Sequence, residues 1–244
     1  MSTLSGNYYG GIVKNGLIVL LDAAKKDSYD RLSLNWKDIS WNGNNGFLTN
    51  FGTGVSGYTT TQTIWTIDNG GTILFDGIND EVICPLSTSI QSINTTNQLT
   101  LSCFIKINFI SQYRDIVGIN KLSGGNPFVF RIHENNQYFF DSDIGGSRRL
   151  VVYSGTSNDI LNQWVQLSAT IGNDMVYIYK NGIQISSLSV SGDIKTLDSN
   201  FGSMFNMGYG PFSGNISNIM LYNRALSSTE VLQNYNALKG RFGL

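Results

Sequence analysis

Acid–base cleavage of a glycan needs two carboxylates flanking one bond, and this chain offers few. Its only glutamates are Glu81, Glu134 and Glu230, and none belongs to a Glu-x-Asp-x-x-Glu arrangement. Asp141 and Asp143 are spaced for one face of a strand, but Gly145 and Gly146 follow closely and predict a solvated turn there. A nucleophilic triad would have to use His133, the only histidine. It sits at a predicted strand end, and no serine has a nucleophile elbow around it. One His and two core-facing Cys do not make a zinc site. Gly124-Gly125 and Gly145-Gly146 lack the strand–loop–helix setting that cradles phosphate. These residues predict a protein that is not an enzyme.

Binding chemistry is better represented. Loop aromatics with planar polar neighbours suit sugar rings, and the candidates are Trp41, Tyr58 and Trp65, then Tyr113 and Arg114, then Tyr209 and Phe212. Tyr209, within Gly208-Tyr-Gly-Pro-Phe, is the most loop-like. Each can instead pack beneath its own loop, and Trp36 and Trp164 are expected in the core. The basic pair Arg148-Arg149 lies on a predicted hairpin; it can meet an acidic glycan or simply face solvent.

Calcium is the one cofactor the residues suggest. Asp22 ends the first strand and Asn218 lies in the last, while Asp38, Asn44 and Asp76 are oxygen donors in turns. Two readings stay open: a bound ion, or turn side chains bonding their own backbone.

The elements that would position these groups are strands. Leu99–Ile107 alternates most clearly, apolar at odd positions, and Cys103 points inward with them. Cys84 lies with Val82 on one face of Glu81–Cys84. Two buried thiols or a disulfide both fit. Gln163–Ile171 alternates too, then turns through Gly172-Asn173-Asp174 into Met175–Lys180. Asn181-Gly182 turns that strand into Ile183–Leu188, a strong hairpin signal. Gly16–Leu21, Phe47–Asn50, Thr59–Ile67, Thr72–Phe75, Asp115–Ile119, Phe128–His133, Gln137–Asp141, Arg149–Tyr153 and Ile216–Tyr222 complete about a dozen strands. Ser227 or Ser228 caps a helix at about residues 227–238, with Val231, Leu232, Tyr235 and Leu238 as one apolar stripe. No period of roughly 20 to 50 residues recurs, so a propeller or solenoid is excluded. The pattern predicts an all-β, two-sheet antiparallel jelly-roll sandwich over residues 15–244, closed by a short helix. Residues 1–14 are expected to form an arm. Its tyrosines, Tyr8 and Tyr9, either belong to a disordered tail or order against a neighbouring subunit.

Composition agrees with one turn-rich β domain. The 244 residues carry a net charge of −1, 14% charged residues, 27 Gly and 12% aromatics. A nucleic-acid binder would show a basic stripe, and none exists. No apolar run approaches the roughly 18 residues of a membrane span, and no secretory signal pattern opens the chain. A soluble protein that does not engage membrane is expected.

Several stretches resemble a known family. Gly16–Ala23 (GLIVLLDA), Trp36–Ser40 with Asn42–Gly46, Ile73–Asp80 (ILFDGIND) and Ile216–Ser227 (ISNIMLYNRALS) are similar, in order and spacing, to the concanavalin A-like, laminin-G-like jelly roll over roughly residues 15–238. Glu230–Phe242 (EVLQNYNALKGRF) resembles the version found in virion structural proteins of large tailed bacteriophages. That resemblance implies a capsid decoration, fibre or appendage subunit, made in the host cytoplasm and carried on the virion. Its partners would be other virion proteins and further copies of itself. The alternative is a carbohydrate-binding module for adhesion to host surface glycans. Three positions depart from the family pattern: Trp41 stands where Gly is usual, Glu81 where an aromatic is usual, and Asn218 where relatives often have Asp. If position 218 helps hold calcium, the neutral amide lowers affinity.

Overall fold

The computed structural model describes residues 11–51, 64–110, 113–119, 126–156, 160–197, 203–204 and 210–244. Two antiparallel layers enclose one apolar core. The first layer runs β14 (Ile183–Ser189), β13 (Met175–Lys180), β12 (Trp164–Gly172), β7 (Leu99–Ile107), β16 (Ser213–Tyr222), β5 (Thr72–Asp76) and β4 (Trp65–Thr66). β1 (Leu17–Asp22) also pairs with β16, so the first strand and the last lie side by side. The second layer has two parts. One is β11 (Ser147–Ser154), β10 (Gln137–Ile144), β9 (Phe128–His133) and β8 (Arg114–Ile119); the other is β15 (Ser203–Met204), β6 (Glu81–Pro85), β3 (Gly46–Thr49) and β2 (Asn35–Trp36). β15 lies beside β8 and brings the two parts together.

Period-two alternation builds the core. Leu99, Leu101, Cys103, Ile105 and Ile107 of β7 meet Phe128, Phe130 and Ile132 of β9 and Tyr138, Phe140 and Ile144 of β10 within one buried cluster. Trp36 is fully buried, as expected. Both cysteines are buried free thiols, which resolves the two readings against a disulfide. Desolvation pushes the Cys84 thiol up to about 12, because burial disfavours the thiolate.

The other side of the first layer is sealed by α3 (Ser228–Leu238) and the 3-10 turn Lys239–Phe242. The capping box is complete: Ser227 Oγ accepts from Glu230 N at 3.3 Å, and Glu230 Oε2 accepts from Ser227 N at 2.9 Å. Those two bonds satisfy donors that a helix start leaves orphaned. Phe242 stacks on Phe104 at 4.3 Å, and Trp164 packs against Phe242.

Several expectations need correction. Ile12 and Val13 are buried against α3, and Val13 N donates to Asn234 Oδ1 at 2.8 Å. Residues 11–14 therefore belong to the domain, while Tyr8 and Tyr9 lie outside the described residues. β10 continues to Ile144, so Asp141 sits inside a strand and not in a solvated turn. Gly145 and Gly146, at φ 62° and 72°, make the turn four residues later. Two single-turn helices, α1 (Thr88–Gln91) and α2 (Ile93–Thr96), escaped the periodicity because each buries one residue, Ile90 or Ile93.

Candidate functional site

A cleft of about 380 Å³ opens on the outer face of the first layer beside the start of α3. Strand register puts its residues there. Tyr177 pairs with Thr170 and Tyr179 with Ser168 across β12–β13, and Tyr179 pairs with Gln184 on β14. Directly opposed residues share a face, so two tyrosine rings, two hydroxyls and an amide lie on one side of the layer; Tyr179, Ser168 and Thr170 are buried there, while Tyr177 is half-buried and Gln184 exposed. Asn173, Leu226, Ser227, Ser228 and Glu230 close the other wall. The two rings stand 6.3 Å apart at 48°. The Tyr179 hydroxyl is pushed above its ordinary range by desolvation, against a hydrogen bond with Thr170 that lowers it. The Tyr179 phenol is thus neutral near neutral pH.

Among the described residues, Glu230 is the only carboxylate lining this cleft. Arg224 grips it with both nitrogens, Nη1 to Oε2 at 2.9 Å and Nη2 to Oε1 at 2.6 Å. That hydrogen bonding is the main reason its carboxyl is held down to about 2. An ionised, clamped acid has no proton to give a leaving group, and among the described residues no second carboxylate lines the cleft. What the cleft offers is part of the Tyr177 ring, the Ser227 and Ser228 hydroxyls and the Asn173 and Gln184 amides. The sequence reading missed it. The Tyr-x-Tyr spacing at 177 and 179 was the available signal, since it guarantees a shared strand face.

On the outer face of β8–β11 the charged side chains engage one another. Arg131, 1% exposed, donates from Nε to Asp115 Oδ1 at 2.5 Å and from Nη1 to Asp141 Oδ2. Arg148 binds both oxygens of Asp141 from Nε at 3.0 Å, and Asn126 adds its amide. Asp143 pairs with Lys195 at 3.4 Å. The Asp141–Asp143 pair is thus tied into the structure. Next to this network Tyr113, 39% exposed, lies 4.3 Å from His133 and 5.6 Å from Phe139.

The other sugar-contact candidates separate. Trp41 is 85% exposed on the loop between β2 and β3. Its φ is 72°, a left-handed conformation costing an L-residue about 1–2 kcal/mol. Arg114 is half-buried on edge strand β8, against Gly210. Phe212 is a correction: it is 2% exposed and packs edge-on against Phe75 at 5.8 Å, inside the core. Tyr58 and Tyr209 lie outside the described residues.

The proposed calcium donors are engaged within the chain. Register does bring Asp22 opposite Asn218. Yet Arg241 takes both Asp22 oxygens, at 2.9 and 3.0 Å, and supplies the positive charge there. Asn218 is fully buried, and its amide has no hydrogen-bond partner among the described residues. Asp38 accepts from Leu20 N, Ser40 N, Ser40 Oγ and Asn44 N, all at 2.8–2.9 Å. Asn44 donates to Ile18 O at 2.6 Å. Asp76 Oδ1 accepts from Ile78 N at 2.7 Å, a turn of its own. Among the described residues no three His, Cys, Asp or Glu side chains are grouped to hold a metal. The turn reading describes Asp76 and most of the Asp38 bonds; Asn44 instead bonds across to Ile18, Ser87 and Ser89, and an ion pair describes Asp22.

Comparison with known proteins agrees with this architecture. The family model described as the concanavalin A-like lectin/glucanases superfamily matches residues 76–232. The chain therefore belongs to that superfamily. Among solved structures it is similar to the binding domain of Paraclostridial Mosquitocidal Protein 1, at TM-score 0.65 and 18% identity, covering 92% of this chain and 52% of that one. The binding domain of botulinum neurotoxin DC in complex with SialylT aligns at TM-score 0.62 and 18% identity, again over 92% and 52%. The same domain in complex with rat synaptotagmin II gives 0.63 and 18%, over 93% and 52%. At such identities the likeness shows the fold, and the chain spans about half the length of those domains. No curated protein matches it in sequence.

Proposed function

We propose that this chain is a non-enzymatic, lectin-like module that binds carbohydrate on a host surface and is displayed on a virion. The cleft beside α3 carries the binding half of this reading. Half-buried Tyr177 supplies a ring, exposed Ser227 and Ser228 supply hydroxyls, and exposed Gln184 and Asn173 supply amides, over a floor that includes buried Tyr179 and Thr170. Rings plus a few convergent polar groups in a concave site are what orient a hydroxylated ligand. The clamped Glu230 supports binding without cleavage. The superfamily contains lectins and glucanases alike, so the site must decide between them. Structural neighbours solved with SialylT and with rat synaptotagmin II favour recognition at a surface.

Virion display rests on the resemblance of the last strand and helix to phage structural proteins. Residues 1–10 are its proposed assembly arm, with Tyr8 and Tyr9 as contacts to neighbouring virion proteins or to further copies. Deleting residues 1–10 is expected to abolish incorporation into particles; normal incorporation would remove the arm from the account. For the binding half, a glycan array on the purified chain, with calcium and with chelator, is expected to give saturable binding to one sugar class. That binding should survive chelation, because Arg241 already neutralises Asp22. A blank array with folded protein would overturn the carbohydrate reading.

A further inference from the structure

We infer that the 3-10 turn Lys239–Phe242 plugs a second sugar subsite on the outer face of the first layer, which opens when the turn is displaced; this rests on the carbohydrate reading. Strand register lays out the subsite. Asn218 on β16 and Gln166 on β12 both stand directly opposite Phe104 on β7. Directly opposed residues share a face, so an aromatic ring lies between two primary amides in one row. Phe242 roofs that row, its ring stacked on Phe104 at 4.3 Å and within 9° of parallel. Trp164 tilts against Phe242 at 4.8 Å. None of Phe104, Gln166, Asn218 and Phe242 lines the cleft beside the start of α3.

The plug fits this slot in shape and not in chemistry. Gln166 and Asn218 are fully buried, and all four polar atoms of their amides lack a hydrogen-bond partner among the described residues. Buried amides are normally paired, and leaving them unpaired works against the closed state. The benzyl ring of Phe242 offers them neither donor nor acceptor. An occupant that suits the slot better is a ring that lies on Phe104 and carries hydroxyls at its edge, since a hydroxyl both donates and accepts. A sugar ring has both properties, with an apolar C–H face for the aromatic ring and hydroxyls for the flanking amides.

The turn is attached in a way that lets it leave. Its polar hold centres on Arg241, which donates to both Asp22 oxygens at 2.9 and 3.0 Å and to Ser217 Oγ at 2.8 Å. Asn69 Nδ2 donates to Arg241 O at 2.8 Å. Arg241 Nε has no partner among the described residues, so the latch itself leaves a donor unmet. At the junction with α3, Leu238 has φ −117°, well away from the helical value of about −63°. The helix and its capping box can therefore stay in place while the turn swings out.

The intact chain is titrated, by ligand-observed NMR and calorimetry, with the methyl glycosides of glucose, galactose, mannose, N-acetylglucosamine and sialic acid. The proteins are wild type, Phe242→Ala, and Phe242→Ala combined with Gln166→Met and Asn218→Leu. Phe242→Ala is expected to bind one glycoside at least about tenfold more tightly than wild type, and the triple variant is expected to lose that gain. Hydrogen exchange on wild type supplies a second reading. The Gly243 and Leu244 amides bond Lys239 O in the closed turn, so they should exchange faster at the highest soluble concentration of that glycoside. Unchanged or slower exchange there would overturn the plug, and it decides alone if Phe242→Ala fails to fold. No gain in a folded Phe242→Ala, or a gain that survives in the triple variant, would also overturn the inference. Either result alongside a glycan bound on the array would leave the cleft reading standing. A blank array together with no glycoside bound by any of the proteins would overturn the carbohydrate reading as well.

Discussion

On the outer face of β8–β11 the charged groups engage one another: Asp115, Arg131, Asp141 and Arg148 form a continuous chain of ion pairs. On the outer face of β12–β14, the half-buried Tyr177 ring, hydroxyls and amides border an open cleft. Both faces follow from the same strand alternation. They differ in what the outward residues can reach. Arg131 stands opposite Asp115 in the ladder and donates to Asp141 on β10. Tyr177 and Tyr179 have only hydroxyls and an amide opposite them; Tyr179 is covered by the cluster beneath α3, and half-buried Tyr177 keeps part of its ring for something else. Chemistry concentrated in charges can therefore be structural, and a quieter set of neutral groups can be the binding surface.

Breaking the charged face should have the largest effect. Arg131→Met leaves Asp115 and Asp141 buried without their shared partner, and removing one member of a buried ion pair typically costs about 3–5 kcal/mol. Chemical denaturation should register that loss. A change under about 1 kcal/mol would mean that the network does not hold this face together. Arg148→Ala sharpens the contrast: its side chain is 58% exposed, so a loss of about 0–1 kcal/mol is expected.

In the cleft, Gln184→Ala is expected to reverse the pattern. Gln184 is exposed, so stability should stay within about 0.5 kcal/mol of wild type, while glycan affinity falls about threefold to tenfold. A stability loss with unchanged affinity would instead make this face structural.

Ser227→Ala removes the cap at the cleft wall and should cost about 1 kcal/mol, read by thermal or chemical unfolding. The smallest effect is the pH response of Glu230. Its folded carboxyl is depressed from 4.5 to about 2, chiefly by Arg224. The stabilisation is therefore fully present above about pH 4.5 and is lost as pH falls towards 2. Unfolding curves of wild type and Glu230→Gln should converge over that range. Parallel curves would show that the Arg224 pair adds nothing.

The strands and the closing helix were legible because period-two alternation and an Asn-Gly turn report local structure directly. Leu99–Ile107 and Phe128–His133 have the same bounds in sequence and structure, and Ser227 caps the helix as its sequence implies. What was not legible depends on long-range pairing. Nothing local shows that Asp22 meets Arg241, 219 positions away, so its oxygens looked available to a cation. Asp141 looked like a turn residue because Gly145 and Gly146 lie close in sequence. Its burial comes from Arg131 on the neighbouring strand. Phe212, in a Gly- and Pro-rich stretch, read as a loop aromatic and is core. Tyr177 and Tyr179 were visible as one strand face, but the helix start that turns this face into a cleft arrives only with the tertiary fold.

The central claim is that this sandwich holds a glycan and does not cut it. The most direct measurement is calorimetric titration of the intact chain with the strongest glycan from the array, followed by analysis of the sugar recovered from the same sample. Saturable heat with the glycan recovered intact is the predicted result. No heat from folded protein, or a shortened glycan at the end of the titration, would contradict it.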